Sequence, residues 1–280
     1  MKILVVGAKG MLGGMLVEVL ADHKVIAWDR EEVDITNRNE VLEKIGELKP
    51  EVIINTAAYT DVDKAESEPE KAFLVNEAGV RNLVEIARVI GAKVAHYSTD
   101  YVFSGEKEEG YKEDELFGKP LNVYGESKLA GEKVLRESGA SYYLIRTAWL
   151  YGPNGDNFVN KMLELAQDKE ELNVVDDQNG SPTFTKDVAE FTRKLLEENY
   201  EPGVYHAVNT GVASWYELAR EIFKIAGVDV KVQAVGSEEF PRPAKRPAFS
   251  ILQNTKGPKM RLWPEALREY IEVYYKGSDE

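Results

Sequence analysis

Cysteine is absent from this 280-residue sequence, and with it go disulfides, thiolate nucleophiles and every cysteine-based metal site. Histidine is scarce. His23, His96 and His206 stand far apart and in no His-x-x-x-His pattern, so a histidine-built zinc centre is not expected and no metal ligand is assigned. Long apolar runs are missing too. None approaches the length that crosses a bilayer, and the apolar start at residues 3–6 is cut short by glycines, so no membrane partner is expected and a cytoplasmic location is. Lysine and arginine number 35 against 49 acidic residues, a net charge of −14. That balance argues against nucleic acid as a partner, because a phosphate backbone asks for a basic face. A small polyanion still fits wherever basic side chains gather locally.

What is present is a regular alternation. Apolar, strand-like runs at 2–6, 24–28, 52–56, 93–98 and 142–150 are separated by helical periodicity at 11–21, 37–48, 70–90 and 121–137. Strands that are apolar along their whole length, with helices between them, predict a parallel sheet covered on both faces. The expected fold class is therefore α/β, a doubly wound parallel sheet of Rossmann type with a smaller interleaved C-terminal α/β lobe. Residues 1–150 are expected to form a dinucleotide-binding lobe, with a helical segment near 185–200 returning to it. Residues 151–184 and 201–280 are expected to build mainly the substrate lobe, from helices at 157–167, 186–198 and 215–226 and strands at 172–175, 205–208 and 230–235.

Gly7-Ala8-Lys9-Gly10-Met11-Leu12-Gly13 lies between the first strand and the first helix. Glycines there let the backbone approach a pyrophosphate, whose charge rests on free N–H groups at the helix N-terminus, and let the helix pack closely on the sheet. A ligand-free glycine turn produces the same spacing, but the strand before and the helix after favour a nicotinamide dinucleotide, NADPH or NADH. Asp29 ends the second strand, 16 residues beyond Gly13, where a carboxylate reads ribose hydroxyls and favours NADH. Arg30 follows it, and a guanidinium there suits a 2′-phosphate instead. The choice of cofactor stays open. Asp34 and Ile35 are candidates to flank the adenine, an ordinary turn being an equally good account of Asp34.

Tyr124 and Lys128 are four residues apart and so share one helix face. A phenol titrating near ~10 is a poor proton donor or acceptor at neutral pH, and a neighbouring ammonium is expected to bring it down. Thr99, in Ser98-Thr99-Asp100, has a hydroxyl to hold a substrate oxygen beside it. About one Tyr-x-x-x-Lys is expected by chance among 14 tyrosines. The order carries the signal: glycine turn, polar strand end, then Tyr-x-x-x-Lys opening the next helix.

These segments resemble the extended short-chain dehydrogenase/reductases and, within them, the dTDP-4-dehydrorhamnose reductase family. The resemblance runs nearly end to end. It is carried by the glycine turn, by Asn55-Thr56-Ala57-Ala58-Tyr59-Thr60-Asp61-Val62-Asp63-Lys64-Ala65-Glu66, by His96-Tyr97-Ser98-Thr99-Asp100-Tyr101-Val102-Phe103 and by Pro120-Leu121-Asn122-Val123-Tyr124-Gly125-Glu126-Ser127-Lys128. It continues through Arg146-Thr147-Ala148-Trp149-Leu150-Tyr151, Asp177-Gln178-Asn179-Gly180-Ser181-Pro182-Thr183 and Arg242-Pro243-Ala244-Lys245-Arg246-Pro247.

The resemblance implies NAD(P)H-dependent reduction of the 4-keto group of dTDP-4-dehydro-L-rhamnose to dTDP-L-rhamnose. Thr99, Tyr124 and Lys128 would be the catalytic trio, with Tyr124 the proton donor and Lys128 also holding the nicotinamide ribose. Gly7, Gly10, Met11, Leu12, Gly13, Ala57, Ala58 and Tyr59 would line the cofactor. Tyr101, Val102, Trp149 and Asn157 would touch the nucleotide-sugar substrate, with Arg246 the preferred clamp on its diphosphate. Trp149 reads equally as core. Some bacterial members hold Mg²⁺ between subunits through glutamates; no such ligands are assigned here, and a homodimer is an open expectation. Two alternatives are a nucleotide-sugar epimerase or dehydratase, and a non-catalytic regulatory subunit of methionine adenosyltransferase. The dehydratases' Asp-Glu pair after Thr99 is missing, and both Tyr124 and Lys128 are present, which favours the reductase.

Overall fold

Strand and helix alternate through the first half of the chain. The computed structural model describes residues 1–115 and 118–275. β1 (Lys2–Val6) leads to α1 (Met11–Val19), β2 (Lys24–Trp28), α2 (Arg38–Leu48) and β3 (Val52–Asn55). The short helices α3 (Val62–Ala65) and α4 (Pro69–Phe73) run through a π-helical turn, Leu74–Gly79, into α5 (Val80–Ile90). Then come β4 (Lys93–Thr99), α6 (Val123–Glu137) and β5 (Tyr142–Thr147). The second half contributes β6 (Leu150–Tyr151), α7 (Phe158–Asp168), β7 (Glu171–Val175), β8 (Asn179–Gly180), β9 (Thr183–Phe184) and α8 (Thr185–Glu197). It closes with β10 (Gly203–His206), β11 (Ala213–Ser214), α9 (Trp215–Ala226), β12 (Lys231–Val235) and α10 (Trp263–Glu269). Side-chain caps fix several helix starts: Asn37, Asn122 and Asn157 each accept an N–H three residues on, and Ser214 with Glu217 forms a capping box.

The main sheet has the order β10-β5-β4-β3-β1-β2, with every neighbouring pair parallel. One face carries Ile3, Val5 and Ile54 against Leu16 of α1 and Leu195 of α8. The other carries Leu4, Val6 and Ile53 against Val41 of α2 and Leu83 of α5. Apolar side chains on both faces are what a sheet wrapped on both sides requires, so the doubly wound α/β expectation holds. A third cluster joins Tyr151, Phe184, Leu218, Ile222 and Tyr270 in the C-terminal half.

Two details depart from the sequence reading. Tyr205 and His206 belong to β10, the edge strand of the main sheet, although they fall in a range expected to serve mainly the substrate lobe. The returning helix α8 explains this, because it packs on α1 and delivers the chain back to the free edge of β5. The strand expected over 142–150 also breaks: Trp149 adopts a left-handed backbone with φ of 46°, and Leu150 pairs with β9 instead.

Arg146 on β5 and Glu132 on α6 are both fully buried and form two parallel hydrogen bonds of 2.9 and 2.8 Å. Breaking such a pair strands a charge in the core at a cost of about 3–5 kcal/mol. Glu132→Ala should lower unfolding free energy by about that amount in denaturant titration. A loss below about 1 kcal/mol would show that the helix is held to the sheet by apolar packing alone.

Candidate active site

The parallel register aligns the strand ends that carry the chemistry. Val6 is level with Asn55, Asn55 with His96, and Thr99 with Thr147. The turns after β1, β3, β4 and β5 therefore open on one edge of the sheet, where ligands of doubly wound folds lie.

The glycine turn has the shape that a phosphate needs. Gly7 sits at φ 80°, and a Cβ there would lie 2.7 Å from the Ala57 nitrogen. A Cβ on Gly13 would lie 2.1 Å from the Gly7 carbonyl oxygen, so the start of α1 presses against the turn. Gly10 caps α1 without any side-chain acceptor, and the first turn holds no acidic residue. The first-turn amides of Met11, Leu12 and Gly13 thus face outward with no internal anion competing for them. These residues fit a dinucleotide pyrophosphate. Asp29 accepts the Lys9 and Arg30 amides, bracing the turn from β2. Arg30 is exposed, and among the described residues it makes one loose ion pair, to Asp34 at 3.5 Å.

Not every expected cofactor contact faces this edge. Asp34 spends its carboxylate on the amide and hydroxyl of Thr36, closing a local turn. Ile35 is buried in the core beside Gly79. Ala57 and Tyr59 line the loop after β3, Ala58 lying between them, and Asn76 holds that loop. The Asn76 side chain accepts the Tyr59 N–H at 2.9 Å and donates to the Tyr59 carbonyl at 3.0 Å and the Ser127 hydroxyl at 2.9 Å. Asn76 projects from the π-helical turn, and its buried clamp joins the loop to α6. Sequence periodicity missed it, because 70–90 reads as one helix and an extra residue in a turn leaves no periodic trace.

Thr99, Tyr124 and Lys128 do come together. The Asn122 cap starts α6 so that Tyr124 opens it and Lys128 follows one turn later. Burial pushes the Tyr124 phenol up to about 12, opposed by a hydrogen bond with the Thr99 hydroxyl. The expected downward pull from Lys128 is not found. Burial drives Lys128 itself down to about 8, against the partial support of Glu132, and its ammonium donates to the Tyr97 carbonyl at 2.7 Å. Desolvation thus outweighs attraction for both groups. Asp100 is buried beside them, and burial raises its carboxyl to about 6 although the hydroxyls of Ser250 and Thr99 oppose the rise.

The expected substrate contacts divide. The Tyr101 ring meets Tyr124 edge-on at 5.9 Å. Trp149 stacks face to face on Trp215 at 3.4 Å and donates its indole N–H to Ser250, an arrangement that sustains its left-handed backbone. Val102 is instead fully buried with Phe103, Leu129 and Leu252. Asn157 caps α7 and donates to the Gly152 carbonyl, so its amide is already committed. Arg246 is neutralised by Asp63 through bonds of 2.8 and 3.0 Å, and the 241–247 segment is further tied down where Asn122 donates to the Lys245 carbonyl.

The family model of the RmlD substrate binding domain matches residues 1–276. The chain belongs to the dTDP-4-dehydrorhamnose reductase family. Among its relatives in that family is a solved dTDP-4-dehydrorhamnose reductase from Clostridium acetobutylicum, 44% identical with a TM-score of 0.94, covering 98% of this chain and 100% of the other. A second, from Bacillus anthracis in complex with NADP, is 40% identical with a TM-score of 0.93, covering 97% and 99%. The spore coat polysaccharide biosynthesis protein SpsK of Bacillus subtilis is 42% identical over 99% of both chains. Among the described residues, no helix is long and apolar enough to cross a membrane.

The Asn76 clamp can be checked without turnover. Asn76→Ala removes three hydrogen bonds, and the Tyr59 amide should then exchange with solvent deuterium at least about tenfold faster, each lost bond being worth about 1 kcal/mol. Unchanged exchange would mean that the loop is held by other contacts.

Proposed function

We propose that this protein reduces the 4-keto group of dTDP-4-dehydro-L-rhamnose to give dTDP-L-rhamnose, using NAD(P)H. The observation that carries the reading is the meeting of Tyr124 with Thr99 at the end of β4, one helix turn from Lys128 and on the same sheet edge as the glycine turn. Membership of the reductase family supplies the substrate.

When bound, the reduced nicotinamide supplies hydride to the keto carbon. The chain's own residues do the rest. Gly7, Gly10 and Gly13 let backbone amides take the pyrophosphate. Tyr124 gives its proton to the carbonyl oxygen as negative charge grows there. A phenol held near 12 keeps that proton at neutral pH, which suits a donor better than a phenol already ionised. Lys128, fixed on one helix face with Tyr124, then lies close to the phenolate left behind and to the nicotinamide ribose. The Trp149–Trp215 stack and Tyr101 form the apolar wall against which the sugar ring rests.

Two outcomes test this. NAD(P)H oxidation by the wild type with dTDP-4-dehydro-L-rhamnose should be readily measured, and Tyr124→Phe should lower kcat by about 10²–10⁴-fold with KM little changed. Absence of turnover with either cofactor, for folded protein that binds the nucleotide, would overturn the substrate assignment. Exposed and loosely paired, the Arg30 guanidinium is free to turn to a 2′-phosphate. Arg30→Ala should therefore raise the KM for NADPH about tenfold while leaving that for NADH within about twofold. Equal effects on both would remove Arg30 from cofactor choice.

A further inference from the structure

Trp149 leaves β5 two residues beyond Thr147, which is level with Thr99, and its indole is closed in from two directions. Trp215 stacks on it at 3.4 Å, the two planes 3° apart. A Cβ on Gly180 would lie 2.3 Å from the indole Cε2, 2.6 Å from Nε1 and 2.7 Å from Cζ2. Those distances describe a point above the ring, since a point beside its rim would lie nearer to Nε1 than to Cε2. The Gly180 backbone therefore rests against one face of the indole and leaves the other to Trp215. Trp149 cannot tilt without displacing one of them.

Rotation is fixed as well. Trp215 donates its indole N–H to the Gln178 side-chain oxygen at 3.3 Å. Trp149 donates to the Ser250 hydroxyl at 3.2 Å, and the Ser250 amide donates to the Asn179 carbonyl at 2.8 Å. Residues 178–180 thus hold both rings. Trp215 is set in turn by its own helix start, because the Ser214–Glu217 capping box makes it the first residue of α9. Phe158, the first residue of α7, packs on it at 4.6 Å. Trp149 meanwhile packs on two apolar clusters. One holds Val102 and Phe103, beside Tyr101 in the turn after β4; the other holds Tyr151, Phe184 and Leu218 of the C-terminal half.

We propose that Trp215 is a positioning residue for the nucleotide sugar: with Gly180 it clamps the Trp149 indole at the one tilt and depth at which the sugar end of the substrate is held. The proposal rests on the reductase reading and deepens it, since the wall of the sugar pocket is then set by α9. Trp149 makes the contact, and Trp215 gives it its orientation. Without Trp215 the left-handed backbone of Trp149 loses the contact that sustains it, and the ring swings away. The nicotinamide cofactor is not affected, because the loop after β3 is held separately by Asn76.

The test uses the full chain as wild type, Trp215→Leu, Trp215→Phe and Gly180→Ala, with two readouts. Protein labelled with ¹³C-tryptophan reports the Trp149 ring protons, identified as the set missing from Trp149→Phe. No other two of the four tryptophans stack among the described residues. The ring current of Trp215 should hold the Trp149 protons upfield in the wild type. In Trp215→Leu and in Gly180→Ala they should return to the positions of an unstacked indole, and in Trp215→Phe, which keeps an aromatic face, they should stay upfield. The second readout is calorimetric titration with dTDP-L-rhamnose and with dTDP, in the presence of NAD(P)H. Trp215→Leu should weaken dTDP-L-rhamnose about tenfold, the order of one aromatic pair, and leave dTDP within about twofold. Trp215→Phe should bind both within about twofold of the wild type.

A merely structural role would lower stability and weaken both ligands alike, and that result overturns the proposal. So do wild-type Trp149 protons at unstacked positions, or equal dTDP-L-rhamnose binding in Trp215→Leu and wild type. Ring protons that behave as described, in folded wild type that binds neither ligand, overturn the reductase reading; the clamp stands in that case and its assignment to the sugar falls.

Discussion

The buried pair of Arg146 and Glu132 is the contact on which the site's geometry rests. Tyr124, Lys128 and Glu132 recur every four residues, so they form one stripe along α6. Glu132 fastens the inner end of that stripe to β5, and the Asn122 cap sets its outer end. The phenol and the ammonium between them have little freedom to rotate away from β4. The pair has an electrostatic consequence as well, because Glu132 supports the charge on Lys128 against the burial that would remove it. The ion pair thus anchors the helix that carries both groups and moderates the effect of burial on Lys128.

Much of this was legible in the sequence because it depends on local pattern. Apolar strands, intervening helices, glycines at fixed spacing and a Tyr-x-x-x-Lys after a polar strand end all follow from short-range stereochemistry, and they stand where expected except that the strand read over 142–150 ends at Thr147 and the helix read over 70–90 is interrupted by the π-helical turn. Val102, Ile35 and Asn157 show where legibility stops. Each lies in a segment of the right kind, yet its side chain turns to the core or to a helix cap. For two of them that direction is set by partners far along the chain, Leu252 for Val102 and Gly79 for Ile35, while Asn157 is held by its own helix start and by the Gly152 carbonyl five residues back. Arg246 makes the same point about charge. It was expected to clamp a diphosphate, but the carboxylate that meets it is Asp63, 183 residues away.

The titration behaviour also ran against a reading made from spacing alone. Two groups four residues apart were expected to interact as they do on an exposed helix, where attraction to a cation lowers a phenol. In the folded chain both are enclosed, and loss of water raises one and lowers the other. The outcome is coherent for a reductase, since the proton stays on the group that must give it away.

The edge strand β10 carries a consequence for the chain as a material object. The main sheet is completed only after about two hundred residues have been made, when 203–206 dock beside β5. Until then β5 presents an unpaired row of amides and carbonyls above an apolar face, the kind of edge along which chains stick to one another. A shortened gene product ending near residue 150 would keep every glycine of the phosphate turn and still be a sticky half-sheet. The first half of this molecule is therefore not a portable module, because its sheet edge is covered only by residues 203–206.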